Sequence, residues 1–174
     1  PVTGANRARY VARYLQFVVF DHARAQISAL RRGFALAAGG IVYRMLTPDD
    51  LEQWLCGAQA DAPIDAAELE RVASYEDEYT AAHHVVRWFW DVVSSLPQHQ
   101  LRALLAFVTA SDRVPLGGYK GITFVVQRNG PDTDRLPTAL TCFGRLLLPA
   151  YASRGKLRDK LLTAINNASG FGLI

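Results

Sequence analysis

An α+β fold is the class this sequence predicts, with a helical first part joined by a hinge to a mixed α/β second part that holds a small sheet. Three observations carry that expectation. Apolar residues recur at three-to-four spacing through the first 57 positions. Strand-like patterning appears only late, in "ITFVVQ" and "RLLLP". Between the two parts lies "GAQADAP", which has small residues, a glycine, a proline and no apolar stripe, the composition of a linker. The parts are accordingly 1–57, the hinge 58–63, and 64–174.

Taken in order, Asn6 to His22 carries Tyr10, Val11, Tyr14, Leu15, Val18 and Val19 as one stripe with arginines between them, which predicts an amphipathic helix. A second helix is expected from Ala23 to Ala37, ending near Gly39 and Gly40. The third, "TPDDLEQWLCG", has a marked start. Thr47 suits the N-cap, Pro48 the first helical position, and Asp49 and Asp50 the positive end of the helix dipole, while Gly57 stops the run.

Beyond the hinge, Ala66 to Ala73 reads as a short helix followed by an acidic turn in "YEDEY". Helical patterns run from Ala82 to Ser94 and from Gln98 to Phe107, and "ASDRVPLGGYKG" is turn chemistry. "ITFVVQ" sets Ile122, Phe124 and Val126 on one strand face, "NGPDTD" turns the chain, and "RLLLP" is a second strand. The last helix starts at Ser153 as its cap, turns Leu157, Leu161, Leu162 and Ile165 inward, and stops at Gly170.

Of the 174 residues half are hydrophobic and a fifth are charged, which is the composition of a folded protein and not of a disordered one. No run of apolar residues is long enough for a membrane span. The formal net charge is +3 without a polybasic block. "RARYVARY" and "SALRRGF" interleave arginine with aromatics, but the aromatics fall on the apolar stripe, so a solvated helix face is expected and no nucleic acid partner. The chain begins at Pro1 and its one methionine is Met45, so it reads as a piece of a larger protein. Two cysteines 86 positions apart (142 minus 56) make a weak disulfide case and point to a reducing compartment, cytoplasm or nucleus.

No metal or cofactor is expected. There is no Cys-x-x-Cys, and neighbours on a helix such as His83 and His84 point about 100° apart, which prevents a joint grip on one ion. "PLGGYKG" lacks phosphate-loop spacing. Cys56, beside Leu51, Trp54 and Leu55, reads as a small hydrophobe packed against a core. Cys142 has a different setting, after a proline-interrupted loop and directly before a strand. Two readings of it stay open on spacing alone: a buried apolar residue, or a nucleophile presented by rigid backbone. A cysteine peptidase would need one of His22, His83, His84 or His99 as base, and no local signature of such an enzyme surrounds the sulfur.

An ordered series of motifs spans nearly the whole chain: "PVTGANR", "RRGF", "LTPDDLEQWLCG", "VVRWFWDVV", "LLAFVTASDRVPLGG", "NGPDTDRLP", "TCF", "LLLPAY", "KLRDKLLTAI" and "GFGLI". Together they resemble the HECT-type ubiquitin ligases. The resemblance implies the C-terminal half of the catalytic module: the end of its N-lobe, the hinge, and a C-lobe. It implies ubiquitin, a ubiquitin-conjugating enzyme and substrate proteins as partners. Cys142 would accept ubiquitin as a thioester and pass it to a substrate lysine, with Thr141, Phe143, Leu136 and Pro137 shaping its loop. Phe171 matches the family's C-terminal phenylalanine that supports transfer, or else packs the tail. Tyr10 matches an aromatic that helps bind the conjugating enzyme, or else is a helix aromatic. The chain departs from the family pattern at Leu140, where histidine is usual, and at Gly144, where asparagine is usual. These departures keep open a degenerate C-lobe that binds ubiquitin or partners without forming the thioester.

Overall fold

The computed structural model describes residues 1–38, 45–59 and 61–168. It divides into two compact units, Pro1–Pro48 and Asp49–Ile174.

In the first unit, α1 (Arg7–Gln16) runs into a π-helical turn at Phe17–Asp21, closed by the His22 N–H donating to the Phe17 carbonyl at 2.8 Å. The expected single helix to His22 is thus α-helical only to Gln16. α2 (Arg24–Ala37) follows, one residue after the expected start. Its expected stop at Gly39 and Gly40 lies outside the described residues. The predicted stripe is present but not covered: Tyr10, Val11, Tyr14 and Leu15 are each about half exposed. Among the described residues of this unit, two helices alone provide no second layer against which such a stripe can be buried.

α3 (Pro48–Cys56) has the last residue of the first unit, Pro48, at its first position and opens the second unit with Asp49 and Asp50 in its first turn, as expected. Gly57 ends it with φ 96°, and a β-carbon there would sit 2.5 Å from the Val114 carbonyl oxygen. Next come α4 (Ala66–Val72), β1 (Ser74–Glu76), α5 (His84–Ser94), α6 (Gln98–Thr109), β2 (Val125–Arg128), β3 (Thr138–Leu140), β4 (Arg145–Leu148) and α7 (Arg154–Asn167). Local chemistry marks several starts. The Asp65 side chain accepts from the Ala67 and Glu68 N–H groups, and Ser153 Oγ accepts from the Lys156 N–H at 3.2 Å.

The sheet order is β1-β2-β4-β3, with β1, β2 and β4 parallel and β3 antiparallel to β4. The core lies between this sheet and α4 to α7. α5 supplies Val85, Val86, Phe89, Trp90, Val92 and Val93, and α7 supplies Leu157, Leu161 and Ile165, all buried as helical stripes require. Leu162 packs only partly buried against them.

Two strands escaped the sequence reading. Where an acidic turn was expected, Ser74 to Glu76 form β1; the turn itself is only Asp77 and Glu78, both with positive φ. A strand of three residues is too short to show alternation, and its identity comes from pairing with β2, 51 positions later (125 minus 74). β3 is equally short and equally dependent on β4. Ile122 lies before β2, after a 3₁₀ turn, while Phe124, Val125 and Val126 are all buried, as in a strand covered on both faces.

His83 is also not on the helix. It caps α5 with extended backbone, its Nδ1 accepting the Val85 N–H at 3.2 Å, and its ring therefore stacks on His84 at 4.5 Å instead of pointing away. Burial, and then the neighbouring His84, hold the His83 pKa below its ordinary 6.5. A protonated Nδ1 donates and cannot cap. The folded state therefore takes up this proton less readily than the unfolded chain. Its stabilising share is complete above pH 6.5 and falls as pH drops toward the depressed value. Melting curves between pH 7.5 and 5.5 are expected to show a smaller pH slope in His83→Asn, which caps without titrating; equal slopes would refute the assignment.

Candidate active site

β3 and β4 form a hairpin whose last pair is Leu140 opposite Arg145, and residues 141–144 close it. Thr141 to Phe143 make a single 3₁₀ turn, and Gly144 follows with φ 58°. Backbone bonds fix this tip from both sides. The Gly144 N–H donates to the Thr141 carbonyl at 3.2 Å, and the Gly144 carbonyl accepts from the Val125 N–H at 2.8 Å, joining the tip to the start of β2. A β-carbon on Gly144 would overlap the Thr123 carbonyl oxygen and lie 2.8 Å from the Thr123 carbonyl carbon. Cys142 therefore rides on a turn pressed against its neighbour, with its side chain exposed. Of its two sequence readings, burial is the one the structure removes.

The approach to the turn is tied down as well. Pro137 is buried and Leu136 is 38% exposed where the chain enters β3. Upstream, Asp132 accepts from the Ala152 N–H at 3.0 Å and pairs with Lys156, and the Lys160 ammonium donates to the Asp134 carbonyl at 2.6 Å. Lys156 first, and then the Ala152 N–H, hold the Asp132 carboxyl below its usual pKa. Tyr151, fully buried, donates its hydroxyl to the Arg135 carbonyl at 2.6 Å. Its pKa is pushed up to about 12, by burial and then by the charge of Asp132. On the far side of the turn, Arg145 reaches across β2 to Glu76 on β1 and donates to Gln127 at 3.0 Å.

Cys142 opens on a cleft of about 650 Å³. The turn contributes Thr141, Cys142 and Phe143, and α3 contributes Trp54, Leu55 and Cys56. Between α6 and β2, Leu116 and Ile122 add apolar wall and Ser111 adds a hydroxyl, as does Thr109 at the end of α6. Arg113 is the cation, and Glu52 pairs with it at 2.7 Å. Phe143 is 65% exposed and Trp54 52%, so the rim is apolar and open. Among the described residues no imidazole or carboxylate lines the cleft, and no three metal-ligating side chains group anywhere. The arrangement can present a nucleophile to a partner, and among the described residues its lining offers hydroxyls and a second thiol beside it.

The structure thus gathers Cys142, Thr141 and Phe143 at one cleft, with Leu136 and Pro137 leading into it. Tyr10 belongs to the first unit, 51% exposed and stacked on Tyr14 at 6.0 Å. Phe171 lies outside the described residues. The expectation for Cys56 is corrected: it is exposed, because the last turn of α3 faces the cleft and not the core. Thr123 and Arg113 escaped the sequence reading altogether, and no local pattern distinguishes either from an ordinary loop residue.

The model of one family, the HECT-domain (ubiquitin-transferase), matches residues 1–174. The chain is similar to the mouse "Probable E3 ubiquitin-protein ligase HECTD2", 38% identical over 173 residues, which is 99% of this chain and 22% of that protein. It is also similar to the human "Probable E3 ubiquitin-protein ligase HERC4", 34% identical over 99% of this chain and 16% of that protein. The "Probable E3 ubiquitin-protein ligase HUL4" of Eremothecium gossypii is 33% identical over 98% of this chain and 20% of that protein. The chain spans about a fifth of the length of these curated relatives. Among the described residues no helix is long and apolar enough to cross a membrane.

Proposed function

The chain belongs to the HECT-domain family, and on that premise we propose that it is the catalytic-cysteine half of a ubiquitin ligase in which Cys142 carries ubiquitin as a thioester. The observation that carries the reading is the exposed cysteine on a turn closed by its own backbone bond and tied to Val125 through Gly144. Thiolate attack on the thioester of a conjugating enzyme forms one carbon–sulfur bond as another breaks, and the departing thiolate takes up the proton. The bonds exchanged are alike, so this step needs neither a cofactor nor a strong base. The cleft supplies neither among its described residues. The second step, attack by a substrate lysine on Cys142-bound ubiquitin, needs a neutral amine. On this reading the proton acceptor comes from outside the cleft.

In the same proposal residues 1–57 are the end of the N-lobe, 58–63 the hinge and 64–174 the C-lobe. Tyr10 faces the conjugating enzyme, and Phe171 supports transfer. The work is done in the cytoplasm or nucleus.

The test uses the full-length protein with activating enzyme, conjugating enzyme, ubiquitin and ATP. A thiol-sensitive ubiquitin adduct on a non-reducing gel, mapped by mass spectrometry to Cys142, is the expected result. A second reading, a module that binds ubiquitin without forming the bond, draws on Leu140 at the position of the usual histidine and on the absence of imidazole from the described lining. Binding without any adduct would select it. Phe171→Ala is expected to spare loading and slow release to lysine about tenfold or more, the loss of roughly 1.4 kcal/mol of transition-state stabilisation. Equal loss in both steps would remove Phe171 from that role.

A further inference from the structure

Cys56 and Cys142 are both free and exposed, and both line the same cleft. Three contacts keep Cys56 there. The Ala58 N–H donates to the Val114 carbonyl at 2.7 Å, Glu52 pairs with Arg113 at 2.7 Å, and Gly57 lies too close to Val114 to admit a β-carbon. The end of α3 is therefore held to the segment that builds one side of the cleft. Two thiols anchored on one cleft meet at far higher effective concentration than two thiols in solution.

We infer that Cys56 and Cys142 form a two-thiol oxidation site whose reagent is a hydroperoxide and whose product is an intramolecular disulfide across the cleft. In the first step the Cys142 thiolate attacks a peroxide oxygen. The S–O bond forms, the O–O bond breaks, and the departing oxyanion takes up a proton as water or an alcohol. The sulfur is oxidised to sulfenic acid and the peroxide is reduced. In the second step the Cys56 thiolate attacks that sulfur, the S–S bond forms, and hydroxide leaves with the thiol proton as water. A disulfide requires α-carbons about 4.4–6.8 Å apart, and the bond forms when the two walls of the cleft bring Cys56 and Cys142 to that separation. The closed form blocks Cys142, protects it from irreversible oxidation, and is reopened by a dithiol. This goes beyond the ligase reading, since the disulfide forms without ubiquitin.

The full-length protein, treated with hydrogen peroxide, alkylated and digested with trypsin without reduction, is expected to yield peptide 45–71 joined to peptide 136–145. The joined pair should weigh two hydrogens less than the separate peptides and disappear with dithiothreitol. Loading of ubiquitin should be lost on oxidation and return with dithiothreitol. In Cys56→Ser, oxidation should instead carry Cys142 to sulfinic acid, and dithiothreitol should not restore loading. Cys142 found as sulfinic acid, or bridged to a second copy, while Cys56 is recovered alkylated would overturn the inference. If the reduced protein never loads ubiquitin, the ligase reading fails alone, and the joined peptides still decide the disulfide.

Discussion

Cys142→Ala is expected to abolish the thiol-sensitive ubiquitin adduct of the full-length protein while leaving its melting temperature essentially unchanged. The two halves of that expectation have separate causes. Chemically, the methyl group has no lone pair to attack a thioester, so nothing on the turn replaces the sulfur. Structurally, the side chain is exposed, and the bonds that fix the turn run through the Thr141 and Gly144 backbones. A surface change of this kind moves stability by no more than about 0.5 kcal/mol. Cys142→Ser refines the test. Its hydroxyl is a far weaker nucleophile at neutral pH, so any adduct should form slowly, and as an ester it should survive reducing agent. A thiol-sensitive adduct of normal yield in Cys142→Ala would place the acceptor elsewhere, with Cys56 the first candidate because it shares the cleft.

Gly144→Ala should be the most damaging small substitution near the site. Gly144 has φ 58°, in the left-handed region, where a β-carbon costs about 1–2 kcal/mol. The new methyl would also overlap the Thr123 carbonyl, which is backbone and not the yielding end of a side chain. Forced displacement in a packed region adds about 1–3 kcal/mol. Together these predict a loss of about 2–5 kcal/mol, or roughly 10 °C in melting temperature for a unit of this size. The shift that relieves the overlap must lift the turn from Val125, which moves Cys142, so loading should fall even below the melting transition. Asparagine, the residue that the resemblance leads one to expect here, tolerates the left-handed backbone but still carries a β-carbon. Gly144→Asn should therefore also destabilise this chain. Unchanged melting and loading in both variants would mean that the turn does not rest on Thr123.

Much of the fold was legible because its signals are local. The Pro48 start and Gly57 stop of α3, the Ser153 cap of α7 and the inward stripes of α5 and α7 each depend on residues within a few positions of one another. The misses have the opposite character. β1 is three residues long and becomes a strand only by pairing with β2, so nothing in "YEDEY" could reveal it. His83 appeared to be helical because caps and first turns share composition; its extended backbone places its ring against His84. Cys56 sat among apolar neighbours, which suggested burial, but Trp54 and Leu55 are themselves more than half exposed at the cleft.

By itself the sequence determined the α+β class, the principal helices and several of their ends, and it set Cys142 apart from its neighbours while leaving burial and exposure both open. Only the tertiary structure decided which side of that sulfur is open, why Gly144 must lack a side chain, and that a second thiol 86 positions earlier reaches the same cleft. The physical reason is range. Periodicity, caps and turn residues act over one or two helical turns, whereas the cleft exists only because distant segments close together when a common core is buried.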